Sequence, residues 1–375
     1  MSTDCQPCEE NPRYLREQLL TYLGNKRALL GSIGEAVAAV RQRLGGRRLT
    51  AADLFAGSGV VTRYLKQHSE RLYTNDTEDY VRVLNRCYTA NMTPELHAEL
   101  AAVYDTLTGR LATECRPGFI SELYAPQNDA AITPADRVFY TRRNALYLDT
   151  ARSLIAELPE EQQAFFLAPL LTQASVHTNT GGVFKGFYKD AAGIGCFGGQ
   201  GKHALERICG EIHLPFPVFS RYESEVHIMQ GDAAAAARQL VAEGVGIDLI
   251  YLDPPYNQHP YGSNYFMLNL LARAERPTDI SRVSGIPSDW NRSPYNSRRT
   301  ALPALLELLD TCAAPFILLS YNSEGFIARE ELETQLRDRG RLSVTEVPYN
   351  TYRASRNLAA RAPKVTEYLF LLERS

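Results

Sequence analysis

No stretch of this 375-residue chain approaches the roughly 20 apolar residues that a membrane span needs, and the N-terminal MSTDCQPCEENPRYL lacks an apolar signal core. A cytoplasmic protein that does not enter a membrane is expected. Cysteine is sparse and unpatterned: seven residues, an odd number, are scattered without a secretion signal, which argues for reduced thiols. Cys5 and Cys8 form a lone CxxC that no second pair completes as a zinc set, so no metal is expected. A surplus of positive charge is missing too. With 40 Lys and Arg against 43 Asp and Glu the net charge is −3, which excludes a generally basic DNA-coating protein but not an enzyme with its cations on one face. Internal repeats and low-complexity segments are absent, while 45% hydrophobic residues suffice for a substantial core.

What is present centres on Ile247 to Tyr256, IDLIYLDPPY. An apolar run typical of a buried parallel strand stops there at Asp253-Pro254-Pro255-Tyr256. Two prolines cannot donate to a sheet ladder, so Asp253 and Tyr256 must leave the sheet at its carboxyl edge, where open α/β folds bind ligands. An acid and an aromatic on a rigid turn suit a planar, amine-bearing ring: Asp253 accepts a hydrogen bond and Tyr256 offers a stacking face.

Earlier in the chain, Leu49 to Gly59 (LTAADLFAGSG) reads as strand, glycine turn and helix, the first unit of a doubly wound sheet. Gly57 and Gly59 let a ligand approach the backbone, and Asp53 can accept a bond from an ammonium. The next strand, RLYTND, ends in Asp76, at about the ~20-residue interval at which an acid meets ribose hydroxyls in such folds. Before these units, residues 9–45 read mostly as helix, interrupted by YLGNKR at Tyr22 to Arg27.

From about Arg86 to Val226 the alternation of strand and helix stops, which marks an insertion. Gly193 to Gly198 fits GxGxxG but follows no hydrophobic strand, and Gly201-Lys202 lacks the flanking residues of a P-loop. The same stretch alternates Lys185, Lys189, Lys202 and Arg207 with Phe184, Phe187, Tyr188 and Phe197, a pattern suited to phosphates and unstacked bases. The α/β pattern resumes with VHIMQGD, ending in Asp232. Beyond DPPY, residues 275–300 carry Arg276, Arg282, Arg292, Arg298 and Arg299 around Trp290, which reads as a DNA-facing lip. The chain closes with APFILLSYNSEG as a strand, a helix, and two strands, RLSVTEVPY and KVTEYLFLLE, joined by a basic and aromatic loop with Arg353.

DPPY, with YLGNKR and FxGxG before it in that order, resembles the alpha-group, Dam-like D12 class of adenine-N6 DNA methyltransferases. The resemblance runs from Tyr22 to about Tyr368. It implies a Rossmann-like methyltransferase sheet with a C-terminal antiparallel hairpin and an inserted, mostly helical region. Residues 1–85 and 227–375 would form the catalytic domain and 86–226 the target-recognition insertion. S-adenosylmethionine would be the cofactor. Tyr22, Gly24 and Lys26 would close over it, Phe55, Gly57 and Gly59 would hold its methionine moiety, and Asp232 would lie near its adenine, with Asp53 and Asp76 completing the site. Asp253, Pro254, Pro255 and Tyr256 would hold a flipped adenine. Double-stranded DNA would be the partner, contacted by Lys185, Lys189, Arg276, Arg282, Trp290, Arg292, Arg298 and Arg353, with a cognate restriction endonuclease as functional partner. One departure stands out: the insertion precedes the Asp232 strand, whereas recognition regions in this group usually lie between the glycine motif and DPPY. Cytosine N4, adenine in RNA, or a non-catalytic DNA-binding subunit are the alternatives.

Overall fold

Strand β1, Leu49–Asp53, is buried at all five positions, and β4, Leu249–Leu252, at all four. They run parallel, Ala51 opposite Leu249 and Asp53 opposite Tyr251. Burial on both faces explains why each reads as a continuous run rather than an alternation. In a computed structural model of the chain, which describes residues 9–17, 20–350 and 364–374, these two strands are the centre of a seven-stranded sheet. The order is β3 (Glu225–Gln230), β2 (Ser69–Asp76), β1, β4, β5 (Phe316–Asn322), β7 (Lys364–Glu373), β6 (Arg341–Asn350). The first five are mutually parallel, and β7 runs antiparallel to both of its neighbours. The Rossmann-like sheet with a terminal antiparallel hairpin is thus present as expected.

The period-two geometry of the strands divides their side chains between two cores. Leu249 and Tyr251 point, with Phe316 and Leu318, toward Ile33, Val37 and Val40 of the helix Leu30–Arg43. That i, i+4, i+7 spacing puts the three on one helical face. Ile250 and Leu252 point the other way, with Ile317 and Leu319, toward Leu305, Leu308 and Leu309 of the helix Ala301–Thr311. Each such aliphatic side chain contributes about 1.5–3 kcal/mol on full burial, so the two faces together fix the register.

The largest core is helical. It gathers Ile120, Leu148, Phe166 and Leu171 from the stretch between β2 and β3, Tyr80 and Leu84 from the helix Asp79–Tyr88, and Tyr265 to Leu268 just beyond DPPY. Residues from either side of the sequence insertion therefore share one interior. Among the described residues no helix is long and apolar enough to cross a membrane.

The chain runs outward from β1 to β2 and β3, then returns to place β4 on the other side of β1. At that switch point the turns leaving β1 and β4 diverge and open a crevice at the carboxyl ends of the strands.

Candidate active site

Four strand ends meet at the crevice. After β1, Leu54 to Gly59 turns sharply with Gly57 at φ +53° and Gly59 at φ +74° before the helix Val60–Lys66. A Cβ on Gly57 would lie 3.2 Å from Cε1 of Tyr22, so the residue is demanded both by its backbone and by the ring above it. After β2, Asp76 accepts from Gly57 N through Oδ2 (2.9 Å) and from Glu78 N through Oδ1 (3.0 Å), tying the glycine turn to its neighbour. After β3, Asp232 caps the helix Ala233–Ala242 by accepting from Ala234 N and Ala235 N. After β4, the prolines carry Asp253 out of the sheet. Tyr22, Gly24, Lys26, Phe55, Gly57, Asp76, Asp232, Asp253 and Pro255 line one open cleft, the concave kind of site that small ligands occupy.

The Tyr22 segment roofs that cleft by stacking. Its ring packs against both Tyr261 (5.1 Å between centroids) and Tyr265 (4.6 Å), which are themselves 6.0 Å apart, and its hydroxyl is 3.0 Å from that of Tyr80. Tyr265 Oη accepts from Leu23 N at 2.7 Å and Tyr261 Oη donates to Leu23 O at 3.1 Å. Three tyrosines near DPPY and β2 thereby hold the segment, two of them more than 200 residues away in sequence.

Electrostatically the cleft is a set of carboxyls that burial makes reluctant to ionise. Desolvation pushes Asp253 up to about 6, against the opposing pull of Lys26. It pushes Glu78 up to about 7, with the Asp76 charge adding to the effect. Asp76 is raised for the same reason, opposed by its backbone donors. Such a wall favours a ligand carrying positive charge, since the cation would stabilise every ionised carboxylate at once. The glycine turn adds backbone that such a ligand can approach closely.

Several residues fall in places the sequence does not suggest. Asp53 is fully buried; its carboxylate accepts from Thr62 Oγ1 (2.6 Å) and Phe55 N (3.3 Å), and it does not line the cleft. Burial holds it near 7. Lys26 has its three donors directed at protein acceptors: Asp253 Oδ1 (2.9 Å), Glu367 Oε1 (3.0 Å) and Gly24 O (3.2 Å). No ammonium hydrogen remains for a cofactor. Gly59 and Pro254 stand outside the lining. So does Tyr256, which is partly exposed with its ring edge-on to Tyr321.

Residues 287–296, expected to face DNA, fold back over the cleft. Asn291 Nδ2 donates to Thr77 O (2.9 Å) and Glu78 Oε2 (3.3 Å), Asn296 Nδ2 donates to Asn257 O (2.8 Å), and Tyr295 meets Phe55 edge-on at 5.3 Å. Asn291, Arg292 and Tyr295 all line the cleft. Sequence reasoning misses Glu78, Asn291 and Glu367. None of the three leaves a distinguishing signal; even in the largely apolar terminal strand Glu367 is one of two acids, with Glu373.

A family model described as D12 class N6 adenine-specific DNA methyltransferase matches residues 22–184 and 223–333. The chain belongs to this family. It is therefore an adenine-specific DNA methyltransferase, a conclusion its relatives support. The chain is 29% identical over 333 residues to the Type II methyltransferase M.NlaIII of Neisseria lactamica, covering 86% of this chain and 90% of that protein. It is 26% identical over 356 residues to the Type II methyltransferase M.CviAII of Paramecium bursaria Chlorella virus 1, covering 94% and 97%. The modification methylase StsI of Streptococcus sanguinis is 27% identical over 374 residues, 95% of this chain; the chain spans about half (52%) of that longer protein.

The residues expected to contact DNA in this D12 methyltransferase differ in burial and in what already engages them. Phe184 and Phe187 are buried in the helical core, so these two rings are not offered to unstacked bases. Lys185 is exposed beside them, and the Lys189 ammonium sits 5.1 Å over the Phe187 ring. From Lys185 to Tyr222 the chain lies outside the family match. Arg276 pairs with Glu122, Arg292 lies over Trp290 at 4.2 Å and Arg298 over Phe326 at 5.3 Å. Arg282 is exposed, with its carbonyl accepting from Arg137. Arg353, like Cys5 and Cys8, lies outside the described residues.

Proposed function

We propose that this enzyme transfers the methyl group of S-adenosylmethionine to the exocyclic N6 of an adenine flipped out of a specific double-stranded DNA sequence. We further propose that it serves as the modification enzyme of a restriction system, the role that the names of its Type II relatives suggest. One observation carries the reading. Asp253 Oδ1 is pinned by Lys26, while its Oδ2 accepts no hydrogen bond among the described residues and Asp253 lines the cleft of Gly57, Asp76 and Asp232.

The chemistry follows from the acceptor's weakness. The N6 lone pair is delocalised into the ring, so a site must localise it before it can attack. Asp253 and the Pro254 carbonyl accept the two N–H bonds, which favours a pyramidal nitrogen and gives the departing proton a carboxylate to reach. Tyr256 stacks on the base. Unstacking costs about a few kcal/mol, offset by these contacts. Gly57, Asp76, Asp232 and the carboxylate of Glu78 would hold the cofactor, which supplies an electrophilic methyl on a sulfonium. With two substrates held in line, positioning accounts for much of the rate.

The test is a filter-binding assay with radiolabelled S-adenosylmethionine on duplex DNA, RNA and no substrate, followed by nucleoside analysis. Label in duplex DNA as N6-methyladenine is expected. Label in cytosine, in RNA alone or in neither polymer overturns the reading.

A further inference from the structure

Behind Asp253 lies a charge arrangement that the methyl-transfer reading does not itself require, although the role inferred for it rests on that reading. Lys26 is 5% exposed and Glu367 3% exposed, each from a different part of the chain: a short 3-10 turn, Lys26–Leu29, and the antiparallel strand β7. Glu367 is opposite Asn322 of β5 in register. Its Oε1 accepts from Ser320 Oγ (2.8 Å) as well as from Lys26, and its Oε2 from Asn322 Nδ2 (2.9 Å). Both oxygens are thus held by strand neighbours.

Buried ion clusters contribute little to stability once desolvation is counted, and apolar side chains of similar volume often do as well. A lysine with two carboxylates is also unbalanced, with one negative charge in excess. A lysine facing Asp253 alone would be free to bridge both of its oxygens and to quench its strength as an acceptor. We infer that Lys26 and Glu367 are positioning residues for Asp253: Glu367 draws the ammonium to one side, so that Lys26 grips Oδ1, leaves Oδ2 for the target amine, and spends part of its charge elsewhere.

The groups facing Asp253 are Lys26, Glu367 from β7, Asp53 from β1, Tyr251 from β4, and Tyr256 and Tyr261 from the turn and helix after β4. The three tyrosines are held above their ordinary range by burial and remain neutral near pH 7. The charges that act are therefore those of Lys26 and Glu367, with Asp53 unchanged in the comparison. Glu367 itself stays ionised: burial opposes this, but Lys26, Asn322 and Ser320 together hold it below the usual carboxylate value.

Opposite charges in the two partners give opposite predictions. Turnover needs ionised Asp253 and is lost as pH falls through its pKa. Glu367→Gln removes a negative neighbour, so the acidic limb of the single-turnover rate should move to lower pH by roughly 1 unit, with the plateau about tenfold lower because the ammonium is no longer drawn aside. Lys26→Met removes the positive neighbour, so the limb should move to higher pH by roughly 1–3 units. A merely structural role would lower both rates without moving the limbs in opposite directions.

The experiment measures single-turnover pH profiles of the full-length wild type, Glu367→Gln, Lys26→Met and Asp253→Ala on saturating duplex DNA and radiolabelled cofactor, with circular dichroism of each. Limbs moving apart support the inference. If Lys26→Met does not fold, the downward shift in Glu367→Gln alone decides it. An inactive Asp253→Ala with a limb unmoved in Glu367→Gln overturns the positioning role and spares the reading of Asp253. Methyl transfer by Asp253→Ala at close to the wild-type rate overturns both.

Discussion

Asp253 joins three roles in one side chain: it ends the β4 turn, receives Lys26 and, in the proposed reaction, holds the amine. Since its proposed contact is with the target amine rather than chiefly with the cofactor, Asp253→Ala should lower methyl transfer about 10²–10⁴-fold, the span of a positioned acid or base. Binding of S-adenosylmethionine and DNA should largely survive. Tyr256→Ala fails differently, because losing a stacking face weakens base capture by about 1–3 kcal/mol as well as turnover. Equilibrium binding and single-turnover rates on both variants separate the two, and a normal Kd with normal rates for Tyr256→Ala would remove the stacking role. Because burial raises Asp253 to about 6, the wild-type rate should fall on its acid side as pH drops through about 6, the carboxylate being protonated below that point. A rate flat down to about pH 4.5, well below that value, would place the working acceptor elsewhere.

At the scale of elements, the glycine turn and the segment 287–296 both contribute to the lining of the cleft and meet at Phe55 and Tyr295. Gly57→Ala must hold φ +53° with a Cβ 3.2 Å from the Tyr22 ring. The left-handed conformation alone costs roughly 1–2 kcal/mol, so cofactor affinity should drop about tenfold in isothermal titration while the sheet stays intact. Asn291→Ala removes the donor that joins the segment to Glu78 and Thr77. Hydrogen bonds to charged groups are worth about 1.5–3 kcal/mol, and the expected result is weaker cofactor binding with DNA binding unchanged; unaltered titration would mean that the segment closes nothing. The two elements also differ in how far sequence reveals them. Leu49 to Gly59 and Ile247 to Tyr256 are legible because strand, turn and ligand contact are local, carried by buried apolar runs, positive-φ glycines and prolines. The fold of 287–296 onto Glu78 joins positions over 200 residues apart, and nothing in its arginines distinguishes a solvent-facing lip from a cleft wall. Glu367 is hidden for the same reason, since a partner 341 residues upstream (367 − 26) gives it meaning.

For the molecule as a whole, a net charge of −3 means that DNA must be met by a local field. The described cations differ in what they have to spare. Lys185 and Arg282 are exposed, whereas Arg276 already pairs with Glu122, both side chains about half exposed, a surface bridge worth at most about 1 kcal/mol. A phosphate contact by Arg276 would have to displace Glu122, so its neutralisation should matter less than that of the other two. Each phosphate contact adds about −0.9 to the slope of log K against log salt on duplex DNA. Lys185→Gln with Arg282→Gln should therefore flatten that slope by up to about 2 and weaken binding to all duplexes alike, with cofactor affinity intact. Arg276→Gln should change it by less than about 1, and Glu122→Gln should strengthen binding by freeing Arg276. Fluorescence anisotropy across a salt series reads all three, and a slope untouched in the double variant would show that these cations are merely solvated and that DNA is gripped elsewhere on the molecule.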